Sequence, residues 1–342
     1  MLSPWPPFNL IGITHRKADL TLRERFARSP GEIAELLGDT GRNGVVLSTC
    51  NRFEIYWWGS EGWSDWFLNG TGSVPRTALV RHQSVAAVRH LFSVAAGLDS
   101  PVLGEHEILG QVRRAWGLSR DQGATTRELD LVFASAIAAG RRVRRETVLG
   151  HHPASIGSVA VEAVQLRSGS LKDRPVVVIG AGEAARGVVA ALSEAGATIR
   201  LVVRHRERAL ALAERYQAEL QPWEMLDWVM AETPVVIAAT SAPHPFLAAE
   251  RLQSLSPGST VVDLGVPRNV DPAARGIAGL TVLDLDDLQA GSRGRLPEIG
   301  PGIEAARIIL ERESSRLLGK LERWSTPVRE PESSPARVDS AG

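Results

Sequence analysis

The sequence predicts a multidomain α/β protein: an N-terminal α+β domain, a doubly wound nucleotide-binding domain and a long C-terminal helix. Three observations carry this. Before about residue 150, short apolar runs and helical patterns follow one another in β-α-β-β-α order, after which the pattern turns helical. From Pro175 the chain reads as buried strand, glycine turn and helix, and strand-like runs recur to Leu283. From Glu298 to Trp324 a single amphipathic rhythm continues. The boundaries fall at 1–150, 151–295, 296–325 and 326–342.

The 342 residues suffice for two or more cores, with 44% hydrophobic and 23% charged residues, as in ordinary globular proteins. Lys+Arg and Asp+Glu number 39 each, so no global basic field marks a nucleic-acid binder, although a local patch stays open. The single cysteine excludes an intramolecular disulfide and a Cys-based zinc site, and it suits a reducing cytosol. Met1-Leu-Ser-Pro-Trp-Pro-Pro7 has neither the basic start nor the apolar stretch of a signal peptide. The apolar runs are too short and Gly-interrupted to span a bilayer. A soluble, cytoplasmic protein with no membrane association is expected.

Phe8 to Ile13 reads as a strand ending at Thr14-His15, and Leu20–Phe26 and Gly31–Leu37 have helical spacing. Val45-Val-Leu47 then delivers Cys50 into a polar tip, and Phe53-Glu-Ile-Tyr-Trp57 leads away, so Cys50 is expected at a strand junction beside Arg52. A neighbouring arginine favours the nucleophilic thiolate. The alternative is a small buried hydrophobe, and the residues alone leave both open. A Trp-rich helix around Trp63 and Trp66 follows, giving a compact unit of ferredoxin-like order.

Helical patterns cover Ser84–Ala96, Glu107–Asp121 and Thr126–Glu146. The break between the first two carries Asp99, Ser100, Glu105, His106 and Glu107, read either as a solvated connection or as a site. His90 lies near an apolar face, as a core histidine or as a catalyst, and His15 is equally open. Arg141, Arg142, Arg144 and Arg145 suit a helix C-terminus or phosphates.

Residues 154–166 read as a connecting helix. Pro175–Ile179, Gly180-Ala-Gly-Glu-Ala-Ala185 and the helix after it satisfy the G-x-G-x-x-A fingerprint with strand before and helix behind. Gly180 permits the tight turn, Gly182 lets backbone approach a pyrophosphate and Ala185 keeps helix and strand close. Ala181, Glu183 and Ala184 complete the cradle at the helix N-terminus. The next strand ends at Val203 and is followed by Arg204-His-Arg206, where an NAD site would carry an acid. Two arginines suit a ribose 2′-phosphate, hence NADPH; a surface start to the helix Glu207–Tyr216 is the alternative. Strands at 234–239, 260–264 and 280–283 complete a Rossmann-like sheet. In the last helix Ile303, Ala306, Leu310, Leu317, Leu321 and Trp324 form the apolar stripe, to pack along the domains or pair with another chain, and the tail beyond it is expected to be disordered.

Taken together, Ser48-Thr-Cys-Asn-Arg52, His90-Leu-Phe with Gly97-Leu-Asp-Ser100, and Leu103-Gly-Glu105 with Ile108-Leu-Gly-Gln111 resemble the glutamyl-tRNA reductases. Ala154-Ser-Ile-Gly-Ser-Val-Ala160, the Gly180 turn, Ala242-Pro-His-Pro245 and Val266–Pro272 extend the resemblance from about residue 9 to 324. The resemblance implies that Cys50 attacks the ester joining glutamate to its tRNA, giving a thioester that NADPH reduces to glutamate-1-semialdehyde. It places Thr49, Asn51, Arg52, Ser100, Glu105, His106, Glu107 and Gln111 at glutamate-binding positions, with Arg52 as the fork for the side-chain carboxylate. His90 falls at a position important for activity, and no metal is implied. Glu107 stands where the family usually has a glutamine. The family continues into a helical dimerisation domain, which this chain lacks after Trp324, so the linker helix is read as leading to a truncated dimerisation domain. A homodimer and a glutamate-1-semialdehyde aminomutase partner are implied. The competing expectations are a shikimate-dehydrogenase-like reductase of a free small molecule and a non-catalytic tRNA- or partner-binding protein.

Overall fold

The computed structural model describes residues 7–60, 62–70, 74–150, 155–291 and 296–325. Ala154, His151 and the tail from 326 to 342 lie outside the described residues.

The first domain is built on an antiparallel sheet of β1 (Phe8–Thr14), β2 (Val45–Thr49), β3 (Arg52–Trp58) and β4 (Leu79–Gln83), in the order β2-β3-β1-β4. With α1 (Leu20–Glu24), α2 (Pro30–Thr40) and α3 (Trp63–Gly70) between strands, this is the ferredoxin-like order. Both faces of β3 are buried, so period-two alternation sorts its residues between two cores. Phe53, Ile55 and Trp57 face Phe26, Leu37, Trp63 and Phe67. Tyr56 shares the other face with Phe8, Leu10 and the helices α4 (Ser84–Ala95), α5 (Glu107–Asp121) and α6 (Arg127–Glu146). Strand β4 gives no sequence signal: its Leu-Val-Arg-His-Gln run buries only its first two residues at the sheet edge. A capping box of Ser29 and Glu32 opens α2, and Thr126 caps α6.

The second domain is an all-parallel sheet, β10-β9-β8-β5-β6-β7, made of β5 (Pro175–Ile179), β6 (Thr198–Val203), β7 (Glu219–Pro222), β8 (Val235–Ala238), β9 (Thr260–Asp263) and β10 (Thr281–Leu283). The strand order reverses at β5, which is the Rossmann arrangement. The connecting helix is α7 (Ile156–Ser168), pressed so closely on α8 (Glu183–Glu194) that a Cβ on Gly157 would lie 2.3 Å from Val188 N. The helix expected from Glu207 opens as a 3-10 turn, Arg206–Arg208, before α9 (Leu210–Tyr216). Strand β7, α10 (Leu226–Ala231), α11 (Ala249–Leu252) and α12 (Leu285–Gly291) were not legible, being four to seven residues long and mostly polar or acidic at their starts.

Helix α13 (Leu296–Ser325) returns to the first domain. Ala306, Ile309, Leu310, Leu317 and Leu321 join the α4–α6 core, and Arg89–Glu311 and Arg142–Glu313 ion pairs flank the contact at 2.6 Å each. Among the described residues no helix is long and apolar enough to cross a membrane.

Candidate active site

Cys50 sits in the two-residue turn between β2 and β3, where Asn51 N donates to Thr49 Oγ1 at 3.1 Å and His15 N to Asn51 O at 2.8 Å. Its side chain packs against the apolar cluster of the nucleotide-binding domain, a cluster that also takes in Leu20 and Val102 from the first domain. Cys50 therefore lies at the seam between the two domains.

The electrostatics correct one expectation. Burial pushes the Cys50 thiol up to about 12, the Glu105 and Glu107 carboxylates add to the rise, and the cation opposing them is Arg23. Arg52 is not among the charges acting on the thiol, and its guanidinium is paired elsewhere. Its Nη1 donates to Glu54 Oε1 at 3.2 Å and to Asp99 Oδ2 at 3.0 Å, and its Nη2 donates to the Asp99 carbonyl. Its Nε is buried without a partner. The fork expected to receive a substrate carboxylate is thus already held by protein acids.

Residues 52, 54 and 56 share one face of β3, and a buried network grows there. Tyr56 donates to Glu54 Oε2 at 2.6 Å, and His90 Nε2 lies 2.7 Å from Glu54 Oε1. Burial alone would raise Glu54, yet Arg52 and His90 hold it down to about 2. His90 therefore belongs behind Arg52, inside the α4 layer, and stacks beside His82 at 5.0 Å. Burial and the Arg52 charge hold His15 neutral, at about 3, and its Nδ1 has no partner.

The 97–106 loop closes the site from the other side. Arg144 Nη2 donates to Glu105 O at 3.2 Å, the buried Ser100 hydroxyl lies against the Glu105 carboxylate, and Arg16 Nε donates to Asp99 Oδ1 at 2.6 Å. Burial lowers His106, which engages the Leu149 backbone and keeps an unpartnered Nε2. The rest of the basic cluster is largely spent on carboxylates: Arg142 meets Glu146 and Glu313, and Arg145 meets Glu146. Glu107 opens α5, with Gln111 and Arg114 one and two turns further along the same face. Burial, then Glu183 and Glu105, push Glu107 up to about 7.

Across the seam, the β5–α8 turn has the shape a dinucleotide needs. Gly180 has φ +114°, and a Cβ there would lie 2.4 Å from Ala239 O. Nothing lies within 4 Å of a Cβ on Gly182, which caps α8 with no side-chain hydrogen bond, so the helix N-terminus has room for a pyrophosphate. Ala185 is fully buried. Glu183 is drawn away to Arg114 of α5 at 2.5 Å. Arg204 and Arg206 are exposed beyond β6, Arg204 lying 4.6 Å over the Trp223 ring. These features fit a nucleotide with a 2′-phosphate. The loop after β9 is pinned by Asp263, which accepts from the Gly265, Asn269 and Val270 amides at 2.8–2.9 Å. Burial raises that carboxyl to about 6.

Polar contacts fasten the domains around Cys50. Arg23 Nη2 donates to Asp286 Oδ1 at 2.7 Å and Leu20 N to Asp286 Oδ2 at 2.9 Å. Arg268 Nε donates to Glu24 Oε1 at 2.8 Å, and Gln289 Nε2 to Asn51 Oδ1 at 3.2 Å. Sequence reasoning passed over Arg23, Glu24, Glu54, Asp286 and Gln289. Only Glu54 carried a signal, as an acid within an apolar strand.

The fold and the site define a two-domain oxidoreductase with a dinucleotide domain facing a cysteine. Residues 11–147 match the family model described as glutamyl-tRNAGlu reductase, N-terminal domain, and residues 162–290 match that of shikimate / quinate 5-dehydrogenase. The chain is 37% identical to a glutamyl-tRNA reductase of Thermus thermophilus over 98% of its own length and 90% of the relative's. It is 37% identical to that of Deinococcus radiodurans over 93% and 92%. Among solved structures, glutamyl-tRNA reductase from Methanopyrus kandleri superposes with a TM-score of 0.51 at 31% identity, covering 93% of this chain and 81% of that one. The chain belongs to the glutamyl-tRNA reductase family. The shikimate-dehydrogenase likeness is confined to the nucleotide-binding domain.

Proposed function

We infer that this chain reduces glutamyl-tRNA(Glu) with NADPH, releasing tRNA and glutamate-1-semialdehyde, the first step of the 5-aminolevulinate route to tetrapyrroles. Family membership over nearly the whole chain carries the activity. The thioester route is our own reading, and it is supported by the position of Cys50 against the nucleotide-binding domain.

In this reading, residues 1–150 form the domain that recognises and attacks the ester, and residues 151–295 hold the cofactor. Cys50 Sγ bonds to the ester carbonyl carbon, the bond to the tRNA ribose oxygen breaks, and that oxygen leaves with a proton. The thiol is held protonated, so its proton must depart as the bond forms. Glu107, at about 7, is matched to accept it at neutral pH. The unpartnered Arg52 Nε is a donor available to the glutamyl group, with the Ser100 hydroxyl beside Glu105 as a further substrate-facing candidate. Thr49, Asn51, Glu105, His106 and Gln111 are the remaining substrate-facing candidates, and His90 positions Arg52 through Glu54. Gly180 to Ala185, with Arg204 and Arg206, would hold the nucleotide. NADPH bound there supplies the hydride that converts the thioester to the aldehyde and frees Cys50.

The product is a reactive aldehyde, so a glutamate-1-semialdehyde aminomutase is the fitting acceptor. We propose a homodimer acting in the cytoplasm, its mass measurable by light scattering. The central test is Cys50→Ser: semialdehyde formation from glutamyl-tRNA and NADPH disappears while NADPH binding persists. Full activity in that variant sinks the thioester reading.

A further inference from the structure

We propose that Arg23 is a catalytic residue of this reaction: its guanidinium receives the negative charge that builds on the ester carbonyl oxygen as Cys50 attacks, and Asp286 of the nucleotide-binding domain holds it in place. The proposal rests on Cys50 being the nucleophile.

Arg23 is 2% exposed, and a charge that deep is costly unless it is paired. Only its Nη2 is paired, to Asp286 at 2.7 Å, while Nε and Nη1 are buried with no partner. A guanidinium anchored on one side and open on the other is prepared for an anion that the resting protein does not contain. Helix α12 ties Arg23 and the Cys50 turn to one element. Asp286 grips α1 through Arg23 and Leu20 N, and one turn later Gln289 grips Asn51, the neighbour of Cys50. Arg23 is also the cation whose field opposes the rise of the Cys50 thiol. The thiol nevertheless stays high, so the resting anion is not on sulfur. Arg52 offers less, because both its Nη groups are committed to Glu54 and Asp99 and Nε alone is unpartnered.

The chemistry then balances. As the Sγ–C bond forms, the carbonyl π pair moves onto oxygen and the thiol proton passes to a neighbouring carboxylate. Donors fixed in a dry site stabilise that oxyanion without reorganising. Its collapse restores the carbonyl and expels the ribose oxygen, which takes a proton. Because Asp286 belongs to the other domain, the donor is aligned only where the nucleotide-binding domain is seated over Cys50.

The test uses the full chain without NADPH and follows single-turnover release of tRNA from glutamyl-tRNA across pH. Arg23→Gln is expected to slow release by about 10²–10³-fold, the loss typical of one oxyanion donor. Affinities for glutamyl-tRNA and NADPH stay near wild type. Arg23→Lys retains part of the rate, and Asp286→Asn loses less than Arg23→Gln in the same direction. Release at the wild-type rate in Arg23→Gln overturns the proposal, as does a loss seen only as weaker glutamyl-tRNA binding. If Arg23→Gln does not fold, wild-type rates in both Arg23→Lys and Asp286→Asn overturn it. Release that persists in Cys50→Ser would instead defeat the nucleophile reading, whatever the Arg23 variants do.

Discussion

His90 Nε2 lies 2.7 Å from Glu54 Oε1, and the Glu54 side chain is fully enclosed. The same carboxylate takes Arg52 Nη1 and the Tyr56 hydroxyl, so one buried acid orders an arginine, a histidine and a phenol beneath the Cys50 turn. A charge can stay so deep only because both of its oxygens are met by buried partners.

Glu54 should therefore govern acid stability. Burial opposes its ionisation, but Arg52 and His90 bring it down to about 2 from an ordinary 4.5. A depressed carboxyl stabilises the fold above its unfolded value and loses that contribution as pH falls from about 4.5 to 2. Glu54→Gln leaves Arg52 short of a counter-charge and should cost about 3–5 kcal/mol at pH 7. Urea midpoints at pH 7 and pH 3 should converge for wild type and variant at the lower value; a constant gap would refute the linkage.

Glu107 has the opposite sign. Burial and the acids Glu183 and Glu105 raise it to about 7, so the folded chain keeps a proton that the unfolded chain releases above about 4.5. Its contribution is present at low pH and is lost as pH climbs through 7. Glu107→Gln should match wild type near pH 4 and exceed it by roughly 1–2 kcal/mol at pH 8, allowing for partial solvation. Thermal melts across that range would read the crossover, and equal melts at pH 8 would count against it.

The two fingerprint glycines should separate. Gly182 has open space around its missing Cβ, so Gly182→Val should leave the melting temperature unchanged while weakening NADPH binding by about tenfold or more, roughly 1.4 kcal/mol. Gly180→Ala places a methyl 2.4 Å from Ala239 O at φ +114° and should lower stability itself. Calorimetry with nucleotide titration distinguishes the two; stability loss in both would mean that Gly182 is structural.

What the sequence by itself determined was local and periodic. The β5–α8 turn declares itself because a tight turn, a close approach and a packed helix each demand a small residue at a set spacing. The α4, α5, α6 and α13 helices were legible from their apolar stripes, and the Cys50 turn from two apolar runs meeting at a polar tip. The tertiary structure alone decided how charges pair. Arg52 follows Cys50 by two residues, yet its side chain leaves on the opposite side of β3 to Glu54 and Asp99, more than forty positions away in the case of Asp99. Arg23 looked like one arginine in a short helix, and only the tertiary structure, with Asp286 of α12 263 residues later, leaves it buried at the domain seam with two donors open. Sequence spacing reports which face of an element a residue shares. What that face meets is settled by packing between segments far apart in the chain, and there burial fixes both the pairing and the protonation of each charge.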